Sequence, residues 1–396
     1  MEFRFNEEQD KLRQDVHEFC AREPWGALED SKIVGHHSPS LYRKMVNKGW
    51  LGLPFPKKYG GQGLSLVEQT IWEEEVAHSG VPIALNVIGS TINLFGQTIL
   101  NHGTEEQKKE YLSKISRGEI WVGQAFTEPE AGCDLLQIQT CAIRDGSDYI
   151  INGQKMFSTS GGRTYHFPKQ YSLLMAKTDP NTTPEEGISL FILDIDLPGY
   201  SLTPLSRMDG GLTYQVYLDN VRVPKECLIG RENAGWEYYM KCAMCFCWDR
   251  GPGYYCGSIG RVLDQIINYV KEMPSLRGDT LVRNKLAEMA IRLKILRLQS
   301  YHLAWAWSKG LNAEANKIAS IIKCFRDRVL HMEMPNIGMD ILGLYGQLRR
   351  DSKFAPLQGL IEYWSRRQYY YTFAYEGFGF AKNFIANELL GLPGNL

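Results

Sequence analysis

The sequence predicts an α+β chain laid out as helices, then strands, then helices. Three observations predict it. Apolar residues recur at helical spacing through the first third, short β-rich runs separated by turns fill the middle, and long stretches of helical period occupy the rest. The 396 residues, 44% of them hydrophobic, are enough to bury a sizeable core. The changes of period divide the chain into an N-terminal helical domain (1–121), a central β domain (122–234) and a C-terminal helical bundle (235–396).

The first helix starts after Asn6, a capping residue followed by Glu7 and Glu8 in the first turn, with Leu12, Val16 and Phe19 on its apolar face. Trp50 to Gly63 is rich in Gly and Pro and reads as a loop. Thr104 and Gln107 have the spacing of a capping box for the stretch that runs to Ile115. The strand candidates are Tyr149–Ile151, Tyr171–Met175, Ile188–Leu193 and Tyr214–Leu218, with Asn152-Gly153 and Pro198-Gly199 as turns. With no helical pattern between them, they predict a small antiparallel barrel or sandwich. Beyond Gly235 the longest helical patterns are Leu281 to Trp307 and Ala313 to Met334, which suit a four-helix bundle and oligomerisation through it.

The charge is balanced, with 44 basic and 45 acidic residues and a net charge of −1, which argues against nucleic acid or a membrane surface as a partner. No apolar run approaches the roughly 20 residues a membrane helix needs. The opening Met1-Glu2-Phe3-Arg4-Phe5 has no apolar signal core, so a cytoplasmic protein with reduced thiols is the expectation. Cys242, Cys245 and Cys247 crowd together on a predicted helix beside Met244, Phe246 and Trp248. No His lies near them and no second Cys pair answers them, so they read as buried thiols and no metal is expected.

Two segments carry chemistry. Phe126-Thr127-Glu128-Pro129-Glu130-Ala131-Gly132-Cys133-Asp134 opens the β module, and Asn152-Gly153-Gln154-Lys155-Met156-Phe157-Ser158-Thr159 follows about 25 residues later. The first resembles the acyl-CoA dehydrogenase signature Thr-Glu-Pro-x-Ala-Gly-Ser-Asp. The second is similar to the same family's Asn-Gly-x-Lys-x-Trp-Ile-Thr-Asn. Val221-Arg222-Val223-Pro224 and Gly230 to Trp236 resemble the family's exit from its β module, so the resemblance spans the chain in the right order. It implies an acyl-CoA dehydrogenase-like fold, FAD as cofactor and electron-transfer flavoprotein as the electron acceptor. It also implies α,β-desaturation of an acyl-CoA thioester, with loss of an α-proton and transfer of a β-hydride to flavin N5. By the same resemblance Phe126, Thr127 and Thr159 lie at the flavin ring, with Thr159 near N5, and Phe157 stands where the family has Trp. Gly132 admits a phosphate closely, and Cys133 replaces a Ser toward phosphate or CoA, a weaker donor.

The family draws its base from one of two places, and this chain has an acid at both. Tyr375-Glu376-Gly377 resembles the C-terminal Tyr-Glu-Gly turn, and Asp249-Arg250 occupies the alternative place on the first long helix after the β module. Glu376 is the first choice as base and Asp249 the second, with Arg250, Tyr375 and Gly377 beside the substrate. Other contacts depart from the family. Met273 to Asp279 lacks the Arg-x-x-Phe-Gly pattern that reaches a neighbouring subunit's FAD, and Phe378-Gly379-Phe380 replaces a Thr-Ser-Gln type segment. Asp340 and Leu344 stand where Gln and Gly are usual, in the Asp340-to-Gly346 segment whose Gly343 is a further cofactor candidate. Such departures resemble family branches that handle bulky, branched or cyclic acyl groups, as homotetramers or heteromers. The competing readings are an oxidase, reductase or decarboxylating relative on the same fold, and a non-catalytic subunit of a heteromer.

Overall fold

Asn6 and Thr104 begin helices in the same way. Asn6 Oδ1 accepts from Gln9 N at 2.8 Å while Gln9 Oε1 accepts from Asn6 N at 3.1 Å. Thr104 Oγ1 accepts from Gln107 N at 3.2 Å while Gln107 Oε1 accepts from Thr104 N at 3.1 Å. Each arrangement satisfies two helix-end donors reciprocally. The computed structural model describes residues 4–22, 39–80, 87–132, 134–158, 167–243, 251–373 and 377–393. They fall into two units, one made of 1–23, 66–81 and 251–396 and the other of 24–65 and 82–250.

The first unit is helical. Its centre is formed by Glu7–Arg22, Leu66–Ser79, Pro252–Glu272 and Thr280–Ser308. Two of these helices come from the first third of the chain, a grouping that linear order does not reveal. Leu66–Ser79 and Pro252–Glu272 approach closely because Gly253 and Gly257 have no side chains. A Cβ on Gly253 would stand 2.0 Å from the Thr70 carbonyl oxygen, and one on Gly257 would stand 2.1 Å from that of Glu74. Several charged groups on these helices are paired. Glu74 accepts from Tyr301 Oη at 2.6 Å and pairs with Arg297 at 2.8 Å, and Glu75 pairs with Arg13 at 2.6 Å. The expected Leu281-to-Trp307 helix is Thr280–Ser308, capped by Asp279, which accepts from Leu281 N and Val282 N. Ala313 to Met334 is divided into the helix Asn312–Phe325, the π turn Arg326–Met332 and the start of Glu333–Leu342.

The second unit holds a seven-stranded sheet: β1 Ile120–Ala125, β2 Cys141–Asp145, β3 Asp148–Ser158, β4 Lys169–Lys177, β5 Ile188–Asp194, β6 Tyr200–Ser206 and β7 Leu212–Pro224. The order is β1-β4-β2-β3-β7-β6, with β5 also on β4. Each predicted β-rich run lies in a strand, and β1, β2 and β6 are additional. The sheet is mixed, since β4 runs parallel to β1 and β2 while the other pairs are antiparallel. Alternation of side chains reports that a segment is a strand but carries no information about the direction of its neighbour. Asn152-Gly153, expected as a turn, lies inside β3 at a shift of register against β7. The shift is a bulge whose extra residue is on β7, where Asp219 and Asn220 stand opposite Asn152 alone, and Gly153 takes φ 150 beside Thr140, whose Cα would be 2.7 Å from an added Cβ. One face of the sheet packs Tyr149, Ile151, Leu174, Phe191, Leu193, Val216 and Val221 into a single buried cluster.

The Trp50-to-Gly63 segment is a loop with content. It makes two short turns, Trp50–Gly52 and Lys57–Tyr59, and buries Trp50, Leu51, Leu53 and Phe55.

Gly253→Ala should destabilise the protein by about 1–3 kcal/mol, because the neighbour a methyl would meet is backbone and cannot rotate away. Gly278→Ala is the control, since nothing lies within 4 Å of its Cβ position. Thermal melts of the two variants should separate clearly, and equal melting temperatures would refute the close approach.

Candidate active site

β1 delivers the first motif. After Ala125 the chain makes a tight turn in which Glu128 N donates to Ala131 O at 3.0 Å and Ala131 N donates to Glu128 O at 3.2 Å. Pro129 and Glu130 occupy the corners, a natural place for Pro. The second motif is the end of β3, and it is stitched to the first. Met156 N donates to Thr127 O at 2.8 Å, and Ser158 Oγ donates to Gln124 O at 2.8 Å.

Beneath this join lies an ion pair. Lys155 Nζ, fully buried, is 2.7 Å from Glu128 Oε1 and donates to Phe126 O at 3.0 Å. The same carboxylate accepts from Gln139 N at 2.5 Å and from Thr140 N at 3.0 Å. Burial works to raise the Glu128 pKa, but the Lys155 charge and these hydrogen bonds outweigh it and hold the carboxyl below its ordinary 4.5. Burial pushes Lys155 down to about 8 despite the pull of Glu128, so the pair is ionised at neutral pH.

The arrangement leaves three features at the surface of the join. Thr127 is half-buried. Gly132 is exposed, and a Cβ there would meet nothing within 4 Å, so the fold itself does not need a glycine and the open space admits a ligand backbone-close. Phe157 sits where β3 shifts register, with φ 57 and a side chain 56% exposed. A left-handed backbone is strained at a bulky residue, and such strain clusters at functional sites. Phe126 points the other way. It is buried, edge-on to Tyr239 at 5.9 Å, which leaves its backbone as the part facing the join.

Of the other sequence candidates, Asp340 is largely exposed and pairs with Lys285 at 2.7 Å. Gly343 follows the Glu333–Leu342 helix with φ 57 and open space around it. Gly377 begins the helix Gly377–Phe384. Cys133, Thr159, Asp249, Arg250, Tyr375 and Glu376 lie outside the described residues, as do Cys245 and Cys247. The sequence reading quoted Glu128 and Lys155 but gave them no role. The available signal was a lysine inside a strand, in the second motif, with a glutamate in the first.

A strand-borne acidic turn tied to a strand bulge, with an exposed aromatic and an open glycine beside it, is a built site on a helix–sheet–helix chain. Three family models match in order along the chain: acyl-CoA dehydrogenase N-terminal domain over residues 6–119, middle domain over 123–221 and C-terminal domain over 233–362. The chain is 30% identical to acyl-CoA dehydrogenase FadE26 of Mycobacterium tuberculosis, over 99% of both proteins. Among solved structures it is similar to the Tcur3481-Tcur3483 steroid ACAD, with a TM-score of 0.85 and 28% identity over 99% of this chain and 100% of that one. It is also similar to a chain of the ChsE4-ChsE5 complex from Mycobacterium tuberculosis, with a TM-score of 0.84 and 29% identity over all of both chains. The chain belongs to the acyl-CoA dehydrogenase family. It is an FAD-dependent oxidoreductase that desaturates an acyl-CoA thioester, and the open Gly132 and outward Phe157 fit a flavin nucleotide. Among the described residues no helix is long and apolar enough to cross a membrane.

Glu128→Gln should cost about 3–5 kcal/mol at neutral pH, because it leaves the Lys155 ammonium buried without its counter-charge. The folded pKa of Glu128 lies below the ordinary 4.5, so its contribution is present above about pH 4.5 and is lost as pH falls through the folded value. Denaturant melts of the wild type should therefore weaken on acidification below pH 4.5, and the Gln variant should lack that part of the loss. Equal acid sensitivity in both proteins would count against the pair.

Proposed function

We propose that this dehydrogenase acts on a bulky, branched or cyclic acyl-CoA and passes its electrons to an electron-transfer flavoprotein. The observation that carries the reading is the join of the two motifs, Met156 N to Thr127 O above the Glu128–Lys155 pair, which presents Thr127, Gly132 and Phe157 together. The substrate class is supported by the similarity to a protein described as a steroid ACAD. It is supported too by the altered segments around Asp340 and Phe378.

In this reading Thr127 and Thr159 donate to the flavin ring, Phe157 screens its edge from solvent and the backbone of Phe126 borders it. Gly132 and Cys133 approach a phosphate or the CoA. Asp340 and Gly343 belong to the adenine side, with the Asp340 charge tied to Lys285. When bound, FAD takes up the hydride from the substrate β-carbon. The protein supplies the base: the Glu376 carboxylate takes the α-proton, in a site dry enough to raise its pKa. Tyr375 and Gly377 shape the turn that carries Glu376, and Arg250 lies at the thioester. Asp249 is the alternative base, one methylene shorter and so obliged to sit closer.

The working domain limits are 1–121, 122–234 and 235–396. The assembly is a homotetramer in the cytoplasm, with the flavin at a subunit interface. A second reading is favoured by the similarity to a chain of the ChsE4-ChsE5 complex, an assembly of two different chains. In it this chain pairs with a related partner in a heteromer and can serve as a non-catalytic subunit.

Glu376→Gln should slow flavin reduction by substrate about 10²–10⁴-fold, with substrate binding retained, as read by stopped-flow bleaching of the flavin. Asp249→Asn should slow it far less. The opposite pattern assigns the base to Asp249, and no effect from either variant refutes α-proton abstraction by these acids. Light scattering of the protein expressed alone should give the mass of four chains with FAD bound. A colourless monomer would favour the heteromer.

A further inference from the structure

The peptide unit between Phe126 and Thr127 is met by a charge on one side only. Its carbonyl oxygen, Phe126 O, accepts from Lys155 Nζ at 3.0 Å, and that ammonium is fully buried with Glu128 Oε1 2.7 Å away. A trans peptide is planar, so its N–H points opposite to its C=O. The Thr127 N–H therefore points away from the buried pair. The backbone groups around it are committed: Thr127 O accepts from Met156 N, and Glu128 and Ala131 exchange two bonds across the turn. The Thr127 N–H has no acceptor among the described residues. Thr127 is half-buried, not enclosed, and the same join carries the open Gly132 and the exposed Phe157.

An ammonium on a carbonyl draws electron density toward the oxygen and makes the N–H of the same peptide a stronger donor. Hydrogen bonds in series polarise one another in this way, most of all in a low-dielectric interior. The Lys155 charge is thus felt at the Thr127 N–H while the ammonium itself stays under the join. A strengthened donor separates neutral acceptors from anionic ones, since hydrogen bonds to ionised groups are about twice as strong. A hydride brings a flavin ring one proton and two electrons, so hydride transfer turns a neutral ring into an anion. The α-proton goes separately to the base.

We propose that Lys155 is a positioning residue for the redox step: through the Phe126–Thr127 peptide it strengthens the Thr127 N–H as a donor to the flavin ring, and so favours the reduced, anionic ring over the oxidised one. The inference rests on the reading above that Thr127 faces the flavin, and it adds a role for the ion pair beyond holding the two motifs together. A purely structural pair would change the binding of both forms of the flavin alike and leave their ratio, which is what a potential measures, where it was.

The test is the two-electron potential of the FAD-loaded enzyme, read by anaerobic reductive titration against a reference dye. Both charges are removed together, so that neither is left buried alone: Lys155→Met with Glu128→Gln, and Lys155→Met with Glu128→Met as a second neutral pair. Replacing a buried ion pair by uncharged side chains of similar volume is often tolerated, and two versions guard against one that fails to fold. Each should weaken the binding of reduced relative to oxidised flavin by roughly three- to tenfold, which lowers the potential by about 15–30 mV for a two-electron couple. Lys155→Arg, which keeps a cation for Phe126 O, should hold the potential close to that of the wild type. Neutral pairs that bind FAD with an unchanged potential overturn the proposal, and so does an Arg variant that shifts as far as they do. Wild type that releases no FAD on denaturation defeats the flavin reading itself, a failure separate from that of the role of Lys155.

Discussion

The site depends on one buried ion pair. Glu128 and Lys155 stand on segments 27 residues apart, and their contact carries the Glu-Pro turn and the β3 bulge into a common position. Neither charge could be buried alone. Together, with Phe126 O, Gln139 N and Thr140 N completing the hydrogen bonds, they form a fully connected network that tolerates little displacement. The network lies under the turn rather than on its surface, so a substrate or cofactor above it meets a backbone whose position is already set. This is the kind of support a catalytic surface needs, since positioning errors of an ångström are expensive in rate.

The helical unit uses a different device. Glycines at positions 253 and 257 bring Pro252–Glu272 onto the backbone of Leu66–Ser79, closer than any side chain would allow. Further along, Lys323 and Arg326 both meet Asp327, at 2.6 and 2.7 Å, with all three side chains fully buried. The Arg326 guanidinium lies 3.9 Å from the centroid of the Tyr255 ring. A planar cation on an aromatic face is well suited to a site from which water is excluded. Buried charge in this unit therefore sits with partners, on helices held by close backbone contact, and it favours a single arrangement of the bundle over slippage.

The two halves of the cofactor question have different characters. On the ring side the chain has the local features a flavin calls for, an open glycine, an outward aromatic and a half-buried threonine. The segments assigned by resemblance to the adenine side carry an acid at 340 that is held by Lys285, and an open glycine at 343.

Much of this was legible in the sequence because it is local. Caps at Asn6 and Thr104, the β-rich runs and the long helix Thr280–Ser308 are each set by residues within a few positions of one another. The two flavin motifs and the family they indicate are likewise short stretches read in order. What the tertiary structure decided is what distant segments do to each other. It kept Asn152-Gly153 inside β3, opposite a bulge of β7, instead of making it a turn, because β7 pairs on both sides of it. It set β4 parallel to β1, and brought Glu7–Arg22 and Leu66–Ser79 together with helices from beyond residue 250. It also gave Lys155 its partner, Glu128. Periodicity reports which face of a segment is apolar. Which surface covers that face, and which charge meets a buried lysine, is a property of contacts between residues far apart in the chain, and it exists only once they have packed.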